Sequence, residues 1–379
     1  MSGIKHTQPG YIKYFTKHPK KSLYIAGIAV CGTVMLAYSG YDLSKRGFKP
    51  YDVEKDLTGK TYIVTGATSG LGKQLAAKLA NKNARVILAC RDREKCIAAR
   101  REIVIQSRNK EVFCRQCDLS DFDSVKTFVE KLYKGKLQID RVDGLVNNAA
   151  MVTPKRQVNK DGIEMTLATN HMGNFLLTAL LLDRMLKQDT PSRIVFVNTD
   201  RAAIYKKPLD LFKLNNIDEN DKFNGDDVYV KTKIAQLMFA KELSERLEGS
   251  QVSVLATAPC RFKSDLYERM PHRQYFLSRW LVGLVGIIFK ESQATGACRI
   301  PLCALAEDSE VMKNGAFINS RKHDRSWGPN AEDKALRERL WLMSEKWTRI
   351  SNYLRDIQGL EEHKEEAKQE KSWKYLWLA

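Results

Sequence analysis

The chain has 379 residues, 43% of them hydrophobic, and a formal net charge of +18. Its length suits two or three average domains or one large α/β domain with extensions, and the apolar fraction is enough for a core. The charge points to an anionic partner such as a nucleotide or a lipid surface. The basic residues are scattered, however, with no arginine-rich block and no zinc-finger spacing, so no nucleic-acid partner is expected.

Residues 1–22 form a basic lead. Residues 23–41 begin "LYIAGIAVCGTVMLAY" and carry no charge, close to the ~20 residues a membrane helix needs. The reading is a single-pass membrane anchor, with a targeting or signal segment and a core helix as the alternatives. Lysines on both sides leave its orientation open. The endoplasmic reticulum is the favoured membrane and a mitochondrial membrane the alternative.

From about residue 58, short β-branched runs recur at 61–65, 85–90, 111–117, 143–148, 193–198, 252–258 and 316–319. Helix-length stretches with apolar residues three and four apart separate them. This alternation predicts a doubly wound, Rossmann-type parallel sheet of about seven strands over 58–320. A C-terminal helical extension and tail (321–379) follows, with an amphipathic helix from about residue 331.

Cys114 and Cys117 make a lone C-x-x-C, in a segment that reads as a strand. Residues three apart there face opposite ways, and no second pair completes a zinc set. Free buried thiols and no metal are expected.

"TYIVTGATSGLGKQLAAKLA" runs from strand to helix with Gly66, Gly70 and Gly72 at the turn. Glycine there lets backbone N–H groups approach a pyrophosphate, which the helix N-terminus also favours; the stretch Gly66, Ser69, Gly70, Leu71, Gly72 and Lys73 is the expected contact. The second strand ends in "CRDREK". Two cations, Lys73 and Arg91, near the adenosine ribose favour a 2′-phosphate, hence NADP(H) over NAD(H), although Asp92 follows directly. Further on, "DDVYVKTKIAQ" places Tyr229 and Lys233 four apart, on one face of a helix, where an ammonium lowers the pKa of a phenol.

"TGATSGLG", "NNAA" (147–150), "NHMGNFLLT" (170–178) and "YVKTK" (229–233) occur in that order, and together they resemble the short-chain dehydrogenase/reductase family. "LACRDREKC", "DGIEMTLATNHMGNFLLT" and "LRERLWLMSEKW" are similar to its retinol-dehydrogenase branch, and the likeness spans about residues 58–350. The resemblance implies that Tyr229 is the general acid/base and that Lys233 lowers its pKa and holds the nicotinamide ribose. It implies that Asn170 positions a water, Asp118 meets the adenine, and Asn147, Ala149 and Pro259 line the cofactor. Ser264 matches a hydroxyl that meets the carboxamide. Three positions depart from the pattern. Thr199 stands where a substrate-binding serine is usual. Ala150 and Cys260 stand where glycine is usual, and glycine adopts dihedrals that other residues reach only at a cost.

Residues 260–292 would choose the substrate, with the apolar "WLVGLVGIIF" (280–289) as pocket wall, interfacial lid or plain core helix. The expectation is a membrane-anchored NADP(H)-dependent oxidoreductase acting on a lipophilic carbonyl or alcohol, in contact with membrane lipid and open to homodimer formation. The alternative, motivated by Thr199, Ala150 and Cys260, is a weakly active or non-catalytic dinucleotide-binding scaffold or sensor.

Overall fold

The computed structural model describes residues 56–135, 138–215, 223–259, 305, 313–319 and 326–351. The lead and expected anchor, Cys260, Ser264, the 280–289 segment and the tail lie outside the described residues.

Seven strands form one sheet: β1 (Thr61–Thr65), β2 (Arg85–Cys90), β3 (Val112–Gln116), β4 (Gly144–Asn147), β5 (Ser192–Val197), β6 (Val252–Ala258) and β7 (Phe317–Asn319). Their order is β3-β2-β1-β4-β5-β6-β7, and every neighbouring pair is parallel. The runs read as strands because the sheet is covered on both faces, so that β1, for example, is buried at all five positions. The order reverses between β1 and β4, and the crevice beyond the carboxyl ends of these two strands is where such sheets bind ligands.

Helix α1 (Gly70–Ala80) follows β1, α2 (Arg93–Ser107) follows β2 and α3 (Phe122–Lys134) follows β3. In α3 the buried side chains Phe122, Val125, Phe128, Val129 and Leu132 recur three and four apart, and Asp121 caps its start. After β4 comes α4 (Met165–Leu167), then a π-helical turn at Ala168–Met172, then α5 (Gly173–Lys187). The short α6 (Asp200–Ala203) leaves β5, and the long α7 (Gly225–Arg246) leads to β6.

The expected C-terminal helix is divided into α8 (Pro329–Glu332) and α9 (Lys334–Thr348). The break falls at Asp333, whose carboxylate accepts from Leu336 N at 3.0 Å and so caps α9. α9 packs by aromatic contact: Trp341 lies edge-on to Phe175 of α5 at 5.5 Å and tilted against Phe239 of α7 at 5.6 Å. Among the described residues, no helix is long and apolar enough to cross a membrane.

Candidate active site

The nucleotide end is built on the β1–α1 turn. Gly66 and Gly70 have φ of 65° and 55°, the left-handed region that glycine tolerates. At Gly72 an added Cβ would lie 2.4 Å from Asn148 Nδ2 and 2.5 Å from the Gly66 carbonyl, so only glycine lets α1 approach this closely. At Gly70 an added Cβ would meet nothing within 4 Å, so the turn is open on that side. Ser69 makes no side-chain cap, and no acid stands in the first turn of α1. The first amides of α1, including those of Leu71 and Gly72, therefore carry a positive dipole that no acidic side chain of that turn compensates. An anionic pyrophosphate fits that cradle.

The loop after β4 is stitched to the same turn. Thr65 Oγ1 accepts from Asn148 N and Ala149 N, both at 3.0 Å, and Asn148 Nδ2 donates to Thr65 O at 2.9 Å. Asn147 is fully buried; its Nδ2 donates to Thr178 Oγ1 at 2.9 Å, while its Oδ1 has no partner among the described residues. Asp118, beyond β3, accepts at Oδ1 from Ser120 N (2.9 Å) and Ser120 Oγ (2.7 Å), which shapes the turn into α3. The non-glycine residues with positive φ among the described ones are Asn83, Arg108 and Arg349. Ala150 is thus outside the left-handed region, and the expected backbone cost at that position is corrected.

The two cations differ. Lys73 is ion-paired with Glu102 of α2, so its charge is shared. Arg91 is exposed just past β2. Asp92 beside it caps α2, accepting from Lys95 N at 3.1 Å, with the Lys95 ammonium 3.6 Å away.

The second half of the site is the start of α7, which Asn224 caps by accepting from Asp226 N and Asp227 N. Tyr229 and Lys233 both turn inward, 7% and 2% exposed. The Lys233 ammonium donates to Val197 O and to Gln236 Oε1, each at 2.9 Å. No hydrogen bond among the described residues reaches the Tyr229 hydroxyl. Burial pushes the Tyr229 phenol up to about 12, with Arg201 lowering it and Asp226 raising it. Burial also pulls Lys233 down to about 7. The expected lowering of the phenol by the ammonium is therefore corrected. Desolvation acts on both groups and dominates, and the ammonium faces β5 instead. The charges that reach the phenol belong to Arg201 and Asp226, which bind each other bidentately at 2.7 and 2.6 Å and clamp α6 to α7.

Thr199, at the end of β5, donates its N–H to Asn198 Oδ1 at 2.8 Å and caps α6 through a long 3.4 Å bond from Arg201 N to its hydroxyl. That hydroxyl acts there only as an acceptor, so its proton remains free to donate. Asn170, in the π-helical turn, is wholly engaged. Its Oδ1 accepts from Met151 N (2.7 Å), and its Nδ2 donates to Met151 O and Thr232 Oγ1 (both 3.0 Å). Its carbonyl accepts from Asn174 Nδ2 at 2.9 Å. Pro259 directly follows β6, at the carboxyl edge of the sheet where β1, β4 and β5 also end.

A family model described as short chain dehydrogenase matches residues 60–206. Retinol dehydrogenase 13 of Mus musculus is 36% identical over 321 residues, covering 84% of this chain and 91% of that protein. The chain belongs to the short-chain dehydrogenase family, in its retinol-dehydrogenase-like branch. Human retinol dehydrogenase 11 is 35% identical over 76% of this chain and 85% of its own length. Among solved structures, a protein from Mycobacterium paratuberculosis aligns with a TM-score of 0.59 at 28% identity, over 78% of this chain and 95% of that one. A short chain dehydrogenase from Shigella flexneri, solved in complex with NADP, aligns with a TM-score of 0.52 at 19% identity, over 71% of this chain and all of its own. That likeness is one of fold.

Membership makes the chain an oxidoreductase of a nicotinamide-dinucleotide-binding fold. Within this dehydrogenase, several contacts are invisible to motif reading: Thr65 with Asn148, Asn198 and Gln236 with Lys233, and Arg201 with Asp226. The only signals available were the second asparagine of "NNAA" and the glutamine one turn past Lys233.

Proposed function

We propose that this short-chain dehydrogenase interconverts an alcohol and a carbonyl on a lipophilic small molecule, a retinoid, a steroid or a lipid aldehyde, with NADP(H) and with Tyr229 exchanging the proton. The observation that carries this reading is the Tyr229 hydroxyl. It is buried and lacks a hydrogen-bond partner among the described residues, on α7 one helical turn before the buried Lys233.

The nicotinamide, when bound, gives or takes the hydride. A hydride moves two electrons, so the substrate oxygen must gain or lose one proton. In reduction the Tyr229 hydroxyl gives that proton to the carbonyl oxygen, and in oxidation its phenolate takes one. Thr199 donates a hydrogen bond to the same oxygen and orients it. Lys233 keeps one N–H beyond those given to Val197 O and Gln236, and that donor is left for the ribose. The amides of Gly70 to Gly72 hold the pyrophosphate, and Asp118, Asn147, Ala149 and Pro259 line the dinucleotide.

For the coenzyme, the preference for NADP(H) rests on Arg91. It stands exposed at the strand end, while the neighbouring carboxylate of Asp92 is spent on capping α2 and is poorly placed to receive ribose hydroxyls. Solved members in complex with NADP and NADPH are compatible with this. The lipophilic substrate class is supported by the relatives named retinol dehydrogenases. Residues 23–41 fit a membrane anchor that would hold the enzyme where such substrates partition, with the endoplasmic reticulum favoured.

The test is NADPH oxidation by the purified full chain with a panel of retinoid, steroid and aliphatic aldehydes, alongside NADPH and NADH affinities for wild type and Arg91→Ala. Turnover of at least one lipophilic aldehyde, and an NADPH preference that narrows in Arg91→Ala, are expected. An inert panel would favour the scaffold reading, and equal coenzyme affinities in wild type would remove the NADP(H) assignment.

A further inference from the structure

We propose that Gln236 is a positioning residue for Lys233: its side-chain oxygen fixes the direction of the buried ammonium, so that a single N–H of that ammonium is left to face a ligand. This rests on the reading of Tyr229 and Lys233 given above. Gln236 is fully buried, one helical turn past Lys233 on α7. Its Oε1 accepts from the Lys233 ammonium at 2.9 Å and from Asn198 Nδ2 at 3.3 Å. Asn198 Nδ2 also donates to the Lys233 carbonyl at 2.9 Å, and Asn198 Oδ1 accepts from Thr199 N at 2.8 Å. One acceptor thus ties the ammonium to the end of β5, where Thr199 begins α6. The amide orientation follows from chemistry, because a reversed amide would set an NH2 against an ammonium and a second NH2.

The rest of the ammonium's environment is sparse. Val197 O takes a second proton at 2.9 Å, and a lysine ammonium has three. Gln236 Nε2, in contrast, is buried with no partner among the described residues. A glutamate of the same shape would keep every hydrogen bond present, since each one uses the oxygen. What glutamine adds is neutrality. It holds the cation without cancelling its charge, and the charge stays available to a bound ligand. A residue there only to fill space would not place its oxygen on the ammonium and strand its nitrogen.

The test uses the full chain with Gln236→Glu and Gln236→Leu. Three readouts apply: the pH profile of carbonyl reduction, NADPH affinity, and the titration of the Lys233 amine by 15N-lysine NMR, assigned with Lys233→Met. Gln236→Glu is expected to move the Lys233 titration and the alkaline limb of kcat upward by about one pH unit or more, with NADPH affinity within about threefold of wild type. Gln236→Leu is expected to move both downward and to lower kcat by about tenfold with little change in KM. If Gln236→Leu does not fold, the isosteric Gln236→Glu decides. An amine titration unmoved by Gln236→Glu in a folded protein overturns the proposal. If wild type turns over no carbonyl, the proposed function fails, while the NMR titration still tests whether Gln236 governs the lysine.

Discussion

Asn170 and Thr232 are joined by a 3.0 Å hydrogen bond from Asn170 Nδ2 to Thr232 Oγ1, and the Thr232 hydroxyl in turn donates to the Tyr229 carbonyl at 2.8 Å. Asn170 also clasps both backbone groups of Met151, just past the "NNAA" loop. Through these two side chains the segment after the "NNAA" loop and the helical turn bearing Tyr229 and Lys233 are held in one register.

Thr232→Val removes the link while keeping the shape of the side chain. It should lower kcat several-fold or more at a stability cost of about 1 kcal/mol. Asn170→Leu should cost more, about 1–3 kcal/mol, because the Met151 N–H and carbonyl lose their partner as well. Steady-state kinetics and thermal unfolding check both. An unchanged kcat in folded Thr232→Val would show that the link is structural only.

Burial makes Lys233 a cost to the fold. Its folded pKa, about 7, lies below the ordinary lysine value because of burial. Between the two values the unfolded chain binds more protons, so this group makes stability rise with pH across that window and imposes its full cost below it. Lys233→Met should therefore be at least as stable as wild type at pH 6, lose part of that advantage by pH 9, and show no turnover. The gain is held to a few kcal/mol at most, since each pKa unit is worth about 1.4 kcal/mol and two hydrogen bonds are lost. Thermal unfolding at both pH values checks it; a variant clearly less stable than wild type at pH 6 contradicts it.

His171 is buried, and burial pulls its pKa down to about 3. Ser344 Oγ gives its proton to Leu340 O at 2.7 Å, so His171 Nε2 carries the hydrogen of the 2.8 Å bond to Ser344 Oγ. His171 Nδ1 is left buried, with no partner among the described residues to receive a second proton. The folded value is depressed, so the unfolded chain binds the proton first as pH falls below about 6.5, and stability drops from there toward pH 3. At pH 5 this amounts to about 2 kcal/mol. Urea midpoints at pH 5 and 7 should converge in His171→Gln relative to wild type.

Arg337 ties α9 to α7. It is 3% exposed and donates to Glu242 Oε2 at 3.0 Å, to Ala331 O at 2.7 Å and to Glu245. Arg337→Ala should cost about 3 kcal/mol or more by leaving the Glu242 carboxylate short of a partner. Arg337→Leu combined with Glu242→Leu should cost less than the sum of the single changes. Denaturant titration of the four proteins checks the coupling.

The sheet was readable because parallel strands buried on both faces appear as unbroken β-branched runs, and the glycines of the β1–α1 turn stand where geometry demands them. The division of the C-terminal helix at Asp333 went unread because a single aspartate capping from within an otherwise helical pattern competes only locally with the helix. The orientation of Lys233 was not legible. Its partner Val197 O is a backbone carbonyl 36 residues away, brought near only when β5 packs beneath α7. Spacing identified which residues could meet, while burial decided what their charges do to one another. Thr65 and Asn148 likewise meet only because β4 pairs with β1.

The role of Tyr229 is tested most directly by comparing wild type and Tyr229→Phe for turnover of a lipophilic aldehyde and for NADPH affinity under the same conditions. Turnover falling by about a hundredfold or more, with NADPH affinity within about twofold, is the predicted result. Equal turnover in the two proteins would contradict it.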